Sequence, residues 1–150
     1  MTVERIYVAE SRGGLQLSVE AVRVVAGRGI EGDRNFSRSK TPGRNLTLVA
    51  AEEIERFVQS TGIQLDLSLT RRNLITRGVE LNSLVGREFT IGEVQLRGVE
   101  LCEPCSRLAK HLRSTGLKPS QVLSLFAHRA GLRADVLSTA TIRVGDPLSL

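Results

Sequence analysis

Short alternating apolar runs, each cut off by glycine, restrict this chain more than any other feature. Leu15, Leu17 and Val19 alternate with polar residues, as do Val22 and Val24, and residues 93–101 read as extended throughout. A period of two marks a strand with one buried face. Gly78, Gly86, Gly92 and Gly98 punctuate the middle of the chain, and Arg12-Gly13-Gly14, Val85-Gly86, Ile91-Gly92 and Gly145-Asp146 mark tight turns. The pattern predicts strands over residues 5–10, up to about 26 as one long strand or a pair, 46–49, 87–91 and 93–101, with two more in the tail between 131 and 148. One stretch is clearly helical, Ala51 to about Ser60. Ile54, Phe57 and Val58 form its apolar stripe, Glu52 and Arg56 are spaced to pair, and Gly62 is placed to end it. Shorter helices are expected over 107–113 and 120–127. Strands and helices alternate too irregularly for a parallel α/β fold. The expected architecture is mainly β, a barrel or curled sheet of mostly antiparallel strands with two or three flanking α-helices, in a single domain over residues 1–150.

At 150 residues the chain can bury a core without disulfides or structural metals. No apolar run reaches the length of a membrane span, and the start has no signal-peptide hydrophobic stretch, so no membrane association and a cytoplasmic location are expected. The net charge of +5 is carried almost wholly by arginine, since Lys40, Lys110 and Lys118 are the only lysines. Arginine suits bidentate capture of phosphate or carboxylate. Aromatic residues make up 3% of the chain, too few for base-stacking platforms, and the arginines are scattered, which argues against nucleic acid and for a small anionic ligand. Two places concentrate them. The glycine-punctuated loop over residues 27–45 carries Arg28, Arg34, Arg38 and Arg44, and its N–H groups near Gly29 and Gly32 suit an anion nest, although a solvated surface loop would read the same way. Arg71-Arg72-Asn73, at the mouth of a further strand, offers two guanidinium forks and an amide for phosphate, although an exposed strand end with its arginines solvated or paired to acids would read the same way.

The chemistry concentrates in Cys102-Glu103-Pro104-Cys105, which holds both cysteines of the chain. A strand-like run precedes it and a helix-like run with Leu108 and Leu112 on one face follows. Pro104 suits the first turn of that helix. A thiol at such a turn faces free backbone N–H groups, and Arg107, Lys110, His111 and Arg113 add positive charge, all of which favour a thiolate at Cys105. Cys102, adjoining the strand, is expected to pack as a small apolar residue. A dithiol switch is permitted by the spacing, but the surroundings do not resemble thioredoxin. Structural zinc is disfavoured because His111 and His128 lie outside finger spacing. A single soft thiolate, ligating a metal centre or carrying sulfur as a persulfide, makes best use of an arginine-rich lining.

Gly32-Asp33-Arg34, Arg71-Arg72-Asn73-Leu74, residues 84–92, Cys102-Glu103-Pro104-Cys105 and the closing Gly131-Leu132-Arg133-Ala134 with Ile142-Arg143-Val144-Gly145-Asp146 occur in that order. Together they resemble the MOSC domain, named for the C-terminal domain of molybdenum cofactor sulfurase, over nearly the whole chain. The resemblance implies a strand-rich barrel and a cysteine, matching Cys105, that ligates molybdenum or carries sulfur. It implies that Arg34, Arg71, Arg72 and Asn73 line a pocket for the pterin phosphate of molybdenum cofactor (molybdopterin). It further implies a sulfur donor such as a cysteine desulfurase, or reduction of N-hydroxylated compounds when the cofactor is held. No lysine stands in a Schiff-base context, so pyridoxal phosphate is not expected in this domain. The rival expectation is a non-catalytic module that docks an anionic partner, with both cysteines merely packed.

Overall fold

The computed structural model describes residues Met1–Leu150. Eleven strands and three α-helices alternate with three short 3₁₀ turns. In chain order the strands are β1 (Thr2–Val8), β2 (Leu17–Val19), β3 (Ala21–Val25), β4 (Gly29–Ile30), β5 (Leu46–Ala50), β6 (Leu74–Arg77), β7 (Glu88–Ile91), β8 (Val94–Leu101), β9 (Leu132–Val136), β10 (Ala140–Arg143) and β11 (Leu148–Ser149). The helices are α1 (Ala51–Thr61), α2 (Ser106–His111) and α3 (Pro119–Leu125).

Eight strands form one sheet in the order β11-β7-β8-β9-β5-β6-β1-β2, and β10-β3-β4 form a second. All pairs are antiparallel except β5–β6, which α1 connects and which runs parallel. The large sheet curls until its first strand meets its last. Thr2 bridges Pro147, Val3 N–H donates to the Asp146 carbonyl (3.0 Å), and Leu148 N–H donates to the Met1 carbonyl (2.9 Å). This curled, mostly antiparallel sheet with three flanking helices is the architecture that the glycine-cut alternation predicts.

Alternation along each strand sorts side chains between two cores. Leu48 and Leu74 face the inside of the curl with Ile6, Leu96, Leu132 and others, while Val49 and Ile75, one residue on, face the helices. The small sheet adds Val22, Val24, Ile30 and Ile142 to the inner core. On the helical side Phe57 of α1 stacks on Phe126 after α3, with ring centroids 5.3 Å apart. Gly62 ends α1 in the left-handed conformation (φ 70°), as expected.

Some local expectations need correction. Arg56 pairs with Glu53 (2.9 Å) across i,i+3 and donates to the Leu125 carbonyl, not with Glu52. Glu52 is turned instead toward the Gly78 N–H (2.7 Å). The tertiary partners of Glu52 and Arg56, the Gly78 N–H and the Leu125 carbonyl, decide between two pairings that propensity treats as nearly equal. The loop at 27–45 is not structureless, since Gly29–Ile30 pair with β3. Pro104 lies one residue before the N-cap of α2 and not inside its first turn.

Candidate functional site

The strand order brings five separate segments to one rim of the curled sheet: the β1–β2 turn, the long loop before β5, the approach to β6, the turn after β8 and the start of β9. They surround a cavity of about 550 Å³ lined by 18 residues, of which only two are hydrophobic. Eight of the lining residues are arginines and one, Glu103, is acidic. Cys105 borders this cavity.

Asp33 sets up the loop side. Its carboxylate is buried and accepts from the Ala9 N–H (3.1 Å), the Asn35 N–H (3.2 Å) and Arg34 Nη1 (3.1 Å). A carboxylate that takes backbone donors from two directions pins a loop, and its ion pair with Arg34 keeps that guanidinium at the wall. The Arg34 N–H donates to the Ala9 carbonyl (2.7 Å), a second tie to the end of β1. Gly32 just before has φ 87°, the left-handed turn that lets the chain double back.

Arg71 and Arg72 have divided roles. Arg72 is buried, and it donates through Nε to the Ala130 carbonyl (2.9 Å) and through Nη2 to the Glu103 carbonyl (2.7 Å). It thereby holds the turn that carries Cys105. Arg71 has φ 59°, a conformation that is strained for a bulky side chain. Its Nη1 donates to the Gly14 carbonyl (3.0 Å), but its Nη2 is buried with no partner. Burial first, then the neighbouring Arg34 and Arg107 guanidiniums, push the pKa of Arg71 below the usual arginine value, and Cys105 lies near enough to oppose that shift. An unpartnered buried donor among like charges is a costly arrangement unless an anion meets it.

Asn73 stands apart from Arg71 and Arg72. It is buried behind the wall and does not line the cavity. Its side-chain oxygen accepts from the Thr47 N–H (3.1 Å), and its amide nitrogen donates to the Tyr7 carbonyl (3.2 Å). Those bonds tie β1, β5 and the approach to β6 together behind the cavity wall.

The two cysteines differ as their positions suggest. Cys102 is buried in the helical-side core, and burial raises its thiol pKa above the ordinary thiol range. Cys105 is half-buried and sits at the N-cap of α2 with extended backbone (φ −77°, ψ 114°). Its side chain makes no capping hydrogen bond, so the helix N–H groups do not hold the sulfur. Cys105 borders the arginine-rich cavity on one side and packs against the helical-side core, near Leu108 and Phe126, on the other.

Arg12 and Arg133 belong to the lining, although sequence reasoning did not single them out as ligands; Arg38, Arg44 and Arg107 were noted for charge alone. Gly13 explains how Arg107 reaches across: a Cβ on Gly13 would stand 2.8 Å from Arg107 Nη1. Gly43 likewise lies against the Arg133 and Val99 side chains, and its N–H donates to the Asp135 carboxylate (2.7 Å). Glycine at positions 13 and 43 was the available signal. No cluster of three or more His, Cys, Asp or Glu residues is placed to hold a metal ion. No helix is long and apolar enough to cross a membrane.

The fold recurs in solved structures. The YuaD protein from Bacillus subtilis aligns with 98% of this chain and 93% of its own length at 18% identity, with a TM-score of 0.84. YiiM from Geobacillus stearothermophilus aligns with 99% of this chain and 74% of its own (16% identity, TM-score 0.75), and YiiM from Escherichia coli with 100% and 69% (20% identity, TM-score 0.72). No curated protein sequence matches the chain. The MOSC domain family model matches residues 35–149, a span that takes in Arg71, the Cys105 turn and every strand from β5 onward. The chain therefore belongs to the MOSC domain family.

Proposed function

We propose that Cys105 is the working thiol of this protein and that it handles sulfur or molybdenum cofactor at the arginine-lined cavity. One observation carries the reading: the half-buried thiol borders a polar cavity whose wall holds eight guanidinium groups and a single carboxylate. The residues fit a phosphate-bearing cofactor. Arg71 Nη2 is the orphaned donor that a phosphate oxygen would satisfy, Arg34 is oriented beside it by Asp33, and Arg72 positions the Cys105 turn from behind. Since no acid–histidine cluster is placed for a bare metal ion, the metal would arrive already held by its organic ligand, with Cys105 adding a thiolate. When bound, that centre would supply two-electron redox chemistry of the kind needed to reduce N-hydroxylated compounds. The chain's own part is to grip the phosphate and present one soft sulfur.

In the sulfur-carrier form of the reading, the Cys105 thiolate attacks the terminal sulfur of a donor persulfide, such as that of a cysteine desulfurase. The donor S–S bond breaks, the donor leaves as a thiolate, and Cys105 keeps the transferred sulfur with no net redox change. Intact-mass measurement after incubation with a low-molecular-weight persulfide, and metal analysis of protein made in a cofactor-competent host, separate the two forms. Wild type is expected to gain one sulfur or retain molybdenum, and Cys105→Ser to do neither. Equal behaviour of wild type and Cys105→Ser in both assays would refute the proposal and leave an anion-docking module with packed cysteines.

A further inference from the structure

The arginines of the cavity wall fall into two tiers. Arg34 and Arg71 are partly buried beside the Cys105 turn. Arg12, Arg38, Arg44 and Arg107 are exposed around the mouth, and none of the four has a carboxylate within 4.0 Å. They come from the β1–β2 turn, the long loop and the start of α2, so tertiary structure gathered them, not a basic run. With Arg71 and Arg72 they make six guanidiniums without an acidic partner, facing one lining carboxylate. A phosphate monoester brings about two negative charges, which leaves roughly three positive charges unmatched. Like charge at this density repels itself and costs stability in a cleft that meets only one small anion.

We infer that the mouth of the cavity seats a second anionic group, so that the compound brought to Cys105 is itself a phosphorylated small molecule. The inner tier takes one phosphate and the rim takes another, presented by the sulfur acceptor or substrate. The cavity is concave and has no aromatic lining residue, which fits a small phosphate ester better than a nucleic-acid strand. This inference rests on the cavity being the working site proposed above, and adds to it a requirement for charge on the incoming compound.

Calorimetric titration of the full chain with orthophosphate and with tripolyphosphate tests it. Wild type is expected to take up two orthophosphates per chain. Arg38→Ala/Arg44→Ala should keep one and lose about tenfold or more in tripolyphosphate affinity, while Arg71→Ala loses the other. Arg87→Ala/Arg143→Ala makes the same charge change at exposed positions outside the cavity and should leave both phosphates bound. Arg38→Gln/Arg44→Gln provides a second rim variant should the alanine pair fold poorly. One orthophosphate per wild-type chain, or equal weakening by the rim pair and the control pair, would overturn the inference. Cys105→Ser should hold both phosphates, so failure of the sulfur and molybdenum assays is read separately from the phosphate count.

Discussion

Strand β6 has an arginine near each end, and the two have opposite surroundings. Arg77, at its C-terminal end, meets Glu4 (3.2 Å), Glu55 and Glu52 (4.0 Å), and its hydrogen bonds to Glu55 first and then to Glu4 push its pKa further up. Arg71, three residues before its start, has no carboxylate partner, one buried N–H group without an acceptor, and a pKa pushed down by burial and by Arg34 and Arg107. The same side chain, six residues apart, is thus satisfied at one rim of the sheet and held unsatisfied at the other. Evenly spread surface charge would give both ends mixed partners. The contrast supports the proposal that the Arg71 rim is the end kept for a ligand.

Five substitutions break or sharpen that contrast, in falling order of effect. Asp33→Ala removes the one buried carboxylate that anchors the cavity loop and strands Arg34, so a loss of about 3 kcal/mol is expected in denaturant unfolding, together with loss of phosphate binding. A neutral result in both would mean that the loop is held elsewhere. Arg71→Ala and Arg77→Ala should trade places: the first weakens orthophosphate binding by about tenfold or more with thermal stability nearly kept, and the second leaves binding intact while causing a small stability loss that shrinks with added salt. Calorimetry and melting curves on the pair decide it, and equal binding by the two variants would erase the distinction between the rims.

The backbone at Arg71 offers a finer test. Arg71→Gly and Arg71→Ala lose the same guanidinium, but only glycine is at ease at φ 59°, so the glycine variant should be more stable by about 1 kcal/mol. No difference in unfolding midpoint would mean that the left-handed turn relaxes once the side chain is gone. The smallest effect concerns pH. Burial raises the Cys102 pKa above its unfolded value, so its contribution is complete below about pH 9 and is lost as pH rises through the folded pKa. Melting curves from pH 8 upward should show a decline that Cys102→Ala reduces, and an unchanged decline would assign it to other groups.

Local signals served where one segment carries its own explanation. The stripe of Ile54 and Phe57 with the Gly62 stop specifies α1, and Ile91-Gly92 specifies the β7–β8 hairpin, because propensity, period and turn chemistry agree within a few residues. The Cys105 turn was legible for the same reason: strand, proline and helix lie side by side. Asn73 shows where this stops. In the sequence it extends an arginine pair, yet its partners Thr47 and Tyr7 are 26 and 66 residues away, and only the β1–β6 and β5–β6 pairings reveal that its amide is bonded behind the cavity wall.

By itself, then, the sequence determined the strand-rich curl, the helix that joins β5 to β6, the family, and the two cysteines of which one packs away. Tertiary structure alone decided that Arg12, Arg107 and Arg133 join Arg34 and Arg71 around Cys105, that Arg72 supports the turn from behind, and that the acids gather at the opposite rim around Arg77. The physical reason is range. Secondary structure answers to neighbours within a turn or two, whereas the charge at a cavity wall is a sum over segments that share no sequence relation until strand order brings them to one edge.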